Sequence, residues 1–128
     1  MIVDSSALLA VLFREPDAGR YERALGAAPA CRMSLANVLE SSIVWEGRVG
    51  ATAGQRFDLF MEQVGIEHVA VTAEHVAEAR QAWRRYGKGN HPAALNFGDC
   101  FAYALAAVTG EPLLFKGEDF ALTDIEAA

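Results

Sequence analysis

Hydrophobic positions along this chain fall into two alternating patterns. Short apolar runs at Met1–Val3, Ala30–Met33, Glu67–Val71 and Pro112–Phe115, each bounded by polar or turn residues, predict strands. Between them, apolar residues recur at helical spacing. Ala7–Phe13 follows the first run, and Tyr21, Ala24, Leu25 and Ala28 mark a second helix that Pro29 ends. Ser34 caps a third, running to about Gly50, and Ala53–Val64 forms a fourth whose stripe holds Phe57, Phe60 and Met61 before Gly65 stops it. Thr72 opens a fifth, with Val76, Ala79, Trp83 and Tyr86 along one side, and Leu95–Thr109 a sixth, capped by Asn96 and stopped by Gly110. Leu122–Ile125 predicts a last edge strand.

Short strands alternating with helices specify parallel pairing with right-handed crossovers, hence an open α/β sheet covered by helices on both faces. Sites in such sheets lie beyond the carboxyl ends of the strands. The 128 residues, 52% of them hydrophobic, are expected to make a single domain over 1–128 with its core in about 1–125. No apolar run is long enough to span a bilayer, and the amino-terminal run carries Asp4 and no basic flank, so neither a membrane segment nor a signal peptide is expected. Cys31 and Cys100 show no paired spacing and are read as reduced, buried thiols of a cytoplasmic protein.

The net charge of −6 argues only superficially against a polyanionic partner. From Ala79 to Gly98 there are four basic residues, Arg80, Arg84, Arg85 and Lys88, and no acidic ones, so the acidic total conceals a positive patch.

Against this framework two acids are out of place. Asp99 sits in the first turn of an otherwise apolar helix, on a face shared with Ala102, Tyr103 and Ala106. Glu40 lies in mid-helix between Ala36 and Val44, where no cap explains it. Asp4 follows the first strand directly, and Asp119 falls at the end of the fourth, after Lys116, Gly117 and Glu118. Read singly, Asp4 fits a helix N-cap and Asp99 a first-turn acid favoured by the helix dipole. Read together, all four converge on one rim of the sheet.

Carboxylates about 5 Å apart repel by roughly 3 kcal/mol per pair at an effective dielectric near 20, so such a cluster needs cations or protons. Oxygen ligands without His or Cys at ligand spacing favour Mg²⁺, or Mn²⁺, over zinc. One or two such ions would activate water and stabilise the oxygens at a phosphorus centre, which is the equipment of phosphodiester hydrolysis. Asp4 and Asp99 are assigned as principal ligands, with Glu40 and Asp119 as second-site or water-mediated ones. Ser6 is placed to orient a water or phosphate, Lys116 to hold a phosphate as a point charge, and Arg84 and Lys88 to meet RNA.

The stretches MIVDSSALLA, Ser34–Glu40, LNFGDCFAYALA and PLLFKGEDFALTDI resemble, from end to end, the successive motifs of PIN-domain ribonucleases, and most closely VapC-type toxins. The resemblance implies a five-stranded parallel sheet and an acidic quartet at Asp4, Glu40, Asp99 and Asp119, with Glu118 the alternative to Asp119. It further implies a Mg²⁺-dependent RNA endonuclease, a homodimer, and inhibition by a VapB-type antitoxin whose tail covers the acidic rim. Two rival functions remain: a metal-dependent phosphatase on small molecules, and a receiver-like phosphoacceptor domain, which the lack of an Asp after the third strand disfavours.

Overall fold

A computed structural model describes residues 1–128. Four parallel strands, β1 (Ile2–Val3), β2 (Cys31–Ser34), β3 (Ile66–Val69) and β4 (Leu113–Leu114), form one sheet in the order β3-β2-β1-β4. Six α-helices intervene: α1 (Ser5–Leu12), α2 (Ala18–Ala27), α3 (Leu35–Val49), α4 (Gly54–Val64), α5 (Ala73–Tyr86) and α6 (Phe97–Thr109).

The period of two along the strands divides the core. Val3, Met33 and Leu114 pack with Leu8, Tyr21, Trp45, Phe57 and Met61 from α1 to α4. Ile2 and Leu113 turn the other way, against Ala82, Tyr103 and Leu105 of α5 and α6. Helices therefore cover both faces, and β1 and β2 lie at the centre, where both sides are sealed from water. Fully buried Ile2, Leu8, Met33, Leu105 and Leu113 each remove enough apolar surface to be worth about 1.5–3 kcal/mol.

Local chemistry sets the helix boundaries that position the rim. Ser34 Oγ accepts the Ala36 N–H at 3.4 Å and starts α3 directly at the end of β2. Thr72 and His75 form a capping box on α5, in which His75 is buried. Gly110 closes α6 in the left-handed conformation at φ +67°, which a side chain would resist.

The expected fifth strand does not form. Phe120–Leu122 is a turn of 3₁₀ helix, and Thr123 Oγ1 donates back to the Phe120 carbonyl at 2.7 Å while accepting the Ile125 N–H at 3.3 Å. Asp124 is held away from the sheet by the Tyr103 hydroxyl at 2.6 Å and the Arg85 guanidinium at 2.9 Å. Side-chain bonds thus satisfy this segment locally, and the backbone meets β4 only afterwards, in a single bridge between Leu113 and Ala127.

Candidate metal-dependent active site at the strand ends

Asp4 leaves the central strand β1 and is only 2% exposed. Its Oδ2 caps α1, taking the Ser6 N–H at 2.9 Å and the Ser6 hydroxyl at 2.5 Å. Its Oδ1 is buried with no hydrogen-bond partner. Asp99 repeats this economy at the start of α6. Its Oδ2 accepts the Asn96 N–H at 2.9 Å while Asn96 Oδ1 accepts the Asp99 N–H at 2.9 Å, and Oδ1 makes no bond. The capping reading and the ligand reading of these two aspartates are therefore compatible, because each role takes a different oxygen.

Glu40 comes from α3 and is pressed against the first turn of α6. Its Oε2 lies 1.6 Å from where a Cβ on Gly98 would stand, so any side chain at 98 would make the carboxylate move. Asn37, one turn earlier on α3 and fully buried, fixes the same junction by donating from Nδ2 to the Gly98 carbonyl at 2.9 Å. Ser5 Oγ donates to the Asn37 carbonyl at 3.2 Å, which joins α1 to α3 beneath the acids. Asp119 lies beyond β4 at the exposed head of the 3₁₀ turn and makes no cap.

Electrostatics tie the four together. Burial pushes the Asp99 carboxyl up to about 7, and the charges of Asp4, Asp119 and Glu40 add to it against the opposing Asn96 N–H. Burial also raises Asp4, with the Ser6 and Ser5 donors opposing and Asp119 reinforcing the rise. Glu40 is raised by burial and by Asp4, with Ser5 opposing. The charge of Asp119 adds to the rise at both Asp4 and Asp99. None of the four acids has an ion-pair partner in the protein.

This rim fits a hard dication. It offers an orphaned buried carboxylate oxygen on Asp4 and an uncommitted oxygen on Asp99. No three acidic, His or Cys side chains converge into an all-protein cage. Mg²⁺ does not require one, since it usually holds one or two carboxylates and keeps several waters.

The other sequence-predicted residues divide. Ser6 is at the rim, donating to Asp4 and accepting the Lys116 N–H at 2.9 Å through Oγ. Lys116 is not a free point charge: its ammonium pairs with Glu15 and, at 2.8 Å, with Asp17, which raises it further. Arg84 and Lys88 are exposed and unpaired, as is Arg80, whereas Arg85 is spent on Asp124. Sequence reasoning missed Ser5, Asn37 and Gly98. Their signal was present as a buried-face Asn one turn before Glu40 and a glycine inside the first turn of a helix.

The PIN domain family model matches residues 1–126. Over 127 residues the chain is 52% identical to "Ribonuclease VapC" of Mycolicibacterium smegmatis, covering 99% of this chain and 98% of that one. It is 50% identical over 125 residues to "Ribonuclease VapC30" of Mycobacterium tuberculosis, covering 98% and 95%. Among solved structures, Mycobacterium tuberculosis VapC20, titled a sarcin-ricin loop cleaving toxin, superposes with a TM-score of 0.77 at 18% identity, over 99% of this chain and 97% of the other. A toxin-antitoxin complex from Klebsiella pneumoniae gives 0.71 at 18% identity, over 94% and 89%.

Proposed function

Because the chain belongs to the PIN-domain family, among its VapC ribonucleases, we propose that it is a Mg²⁺-dependent endoribonuclease and the toxin of a toxin–antitoxin pair. The observation that carries the metal-dependent reading is the orphaned Asp4 Oδ1, buried beside an Asp99 that burial, reinforced by the neighbouring acids, holds partly protonated near neutral pH. Removing an ionised oxygen from water without compensation costs several kcal/mol, and the chain itself supplies no cation there.

Asp4 and Asp99 would hold the ion through their free oxygens, with Glu40 and Asp119 acting on its waters or on a second ion. When bound, Mg²⁺ or Mn²⁺ supplies a water of lowered pKa and a counter-charge for phosphoryl oxygens. The remaining work belongs to the protein. Ser6 and Asn96 fix the orientation of the two aspartates, and Gly98 and Asn37 seat Glu40 against α6. Arg84 and Lys88 draw the RNA backbone toward the rim.

Partners follow from the same reading. A VapB-type antitoxin is expected to cover the acidic rim. Leu35, Leu39 and Ile43, spaced four apart on α3 and 44%, 60% and 61% exposed, offer an apolar stripe for a homodimer in the cytoplasm. The deciding experiment maps the ends of RNAs incubated with purified protein in Mg²⁺ and in EDTA, beside Asp99→Asn. Discrete new ends that need both the ion and Asp99 support the reading, and identical cleavage in all three samples rejects it.

A further inference from the structure

Beside the acidic rim, α5 and α6 enclose a groove of about 610 Å³, within the size range of small-ligand clefts. Its wall includes Asn96, the residue that exchanges two hydrogen bonds with Asp99, so the groove reaches the head of α6 next to that acid. The lining has two parts. One is aromatic: Trp83, Phe97 and Phe101. The other is cationic: Arg80, Arg84 and Lys88, none of which has an ion-pair partner in a chain whose net charge is −6.

The aromatic rings are exposed and also fixed. Trp83 is 51% exposed, yet its ring edge is packed onto Gly87, where a Cβ would stand 2.5 Å from Cδ1. Asn90 Nδ2 donates to the Trp83 carbonyl at 3.0 Å and holds that last turn in place. Phe97 is 81% exposed and stands edge-on to Phe101 with centroids 5.0 Å apart. Exposing large rings to water is costly, and holding them rigid removes the ordering cost of a partner that stacks on them. Flat apolar faces bordered by free cations match a single strand of nucleic acid, whose bases stack while its phosphates are neutralised.

We propose that this groove is a base-receiving subsite: a nucleobase of single-stranded RNA, flanking the scissile phosphate, stacks against Trp83 and Phe97. Arg80, Arg84 and Lys88 hold the adjoining phosphates. The proposal rests on the ribonuclease reading and deepens it by stating that the substrate is unpaired at that flanking position.

The test uses an oligoribonucleotide carrying the cleavage site mapped for the parent, and a series in which one base at a time around that site is replaced by an abasic ribose. With Mg²⁺, one flanking abasic position should raise the parent KM about tenfold with little change in kcat, the scale of a lost stack. The Trp83→Ala/Phe97→Ala variant should show that raised KM on the intact oligonucleotide and no further response to the abasic position. Trp83→Phe, which keeps an aromatic face, should restore part of the response and controls for folding. A double variant with parent KM, or one as sensitive to the abasic position as the parent, overturns the proposal while leaving the nuclease intact. Loss of a dimer on light scattering with base sensitivity retained also overturns it, because the groove would then belong to a second copy. Absence of any Mg²⁺-dependent cleavage by the parent removes the ribonuclease reading itself.

Discussion

Glu40 occupies the space that a side chain on Gly98 would need, with Oε2 1.6 Å from the position of the missing Cβ. One helix thus receives the acid of another without a spacer between them. Gly98→Ala should raise the intrinsic helix propensity of α6 by up to about 1 kcal/mol while expelling Glu40 from the rim. Displacing a catalytic group by an ångström or so costs about a hundredfold in rate. We expect RNA cleavage to fall by that order with the thermal midpoint little changed, as read by cleavage kinetics and by circular dichroism on one preparation. A fully active Gly98→Ala protein would mean that Glu40 is dispensable.

Asp99 should make the metal-free protein less stable as pH rises. Its folded-state pKa is about 7 against 3.8 when unexposed to the fold, so the folded chain binds that proton more tightly. The resulting stabilisation is complete below the unfolded value and disappears as pH climbs through the folded one. Between about pH 5.5 and 8 in EDTA the loss should be on the order of 1–2 kcal/mol after solvent screening. Asp99→Asn should flatten this dependence and unfold later than the parent at the upper pH. Denaturant titrations at several pH values check both.

The same proton competes with the ion. Activity at limiting Mg²⁺ should increase with pH across the region near 7, and saturating Mg²⁺ should move the midpoint lower, because a bound dication favours the carboxylate form. Rate profiles at two metal concentrations measure the displacement. A midpoint indifferent to Mg²⁺ would separate the Asp99 carboxylate from ion binding.

Lys116 should matter for shape more than for substrate. Its pairing with Glu15 and Asp17 ties the strand-end loop to the α1–α2 turn. Lys116→Met should lower stability by about 1 kcal/mol or less, the scale of partly exposed ion pairs, and leave KM for RNA within a few-fold. A rise in KM that vanishes at high salt would instead place a phosphate on this lysine.

Arg84→Ala with Lys88→Ala should weaken RNA binding and reduce the slope of log affinity against log salt by up to about two, one for each lost phosphate contact. Filter binding across a salt series reads it directly. An unchanged slope would leave these cations as an ordinary solvated helix face.

The fold was readable in the sequence where one interaction dominates a segment. The period of two in the strands, the caps at Ser34, Thr72 and Asn96, and the stops at Gly65 and Gly110 all act within a few residues, and the elements they bound are present. The final strand misled because its fate is decided by Tyr103 and Arg85, which lie 21 and 39 residues from Asp124 in the chain. The acids were legible for a different reason. Glu40 contradicts the apolar face around it, and such contradictions survive in sequence only where something outside propensity requires them. The supporting layer of Ser5, Asn37 and Gly98 was hidden, because small and amide residues in helices carry no such contradiction until the neighbouring helix is in place.

None of the four acids is paired with a lysine or arginine of the chain. In the empty state the hydrogen ion on Asp99 therefore serves as a placeholder counter-charge. Loading the rim must discharge it, so the protein should acidify a weakly buffered solution as it takes up its ion, and the heat of loading should vary with the ionisation enthalpy of the buffer chosen.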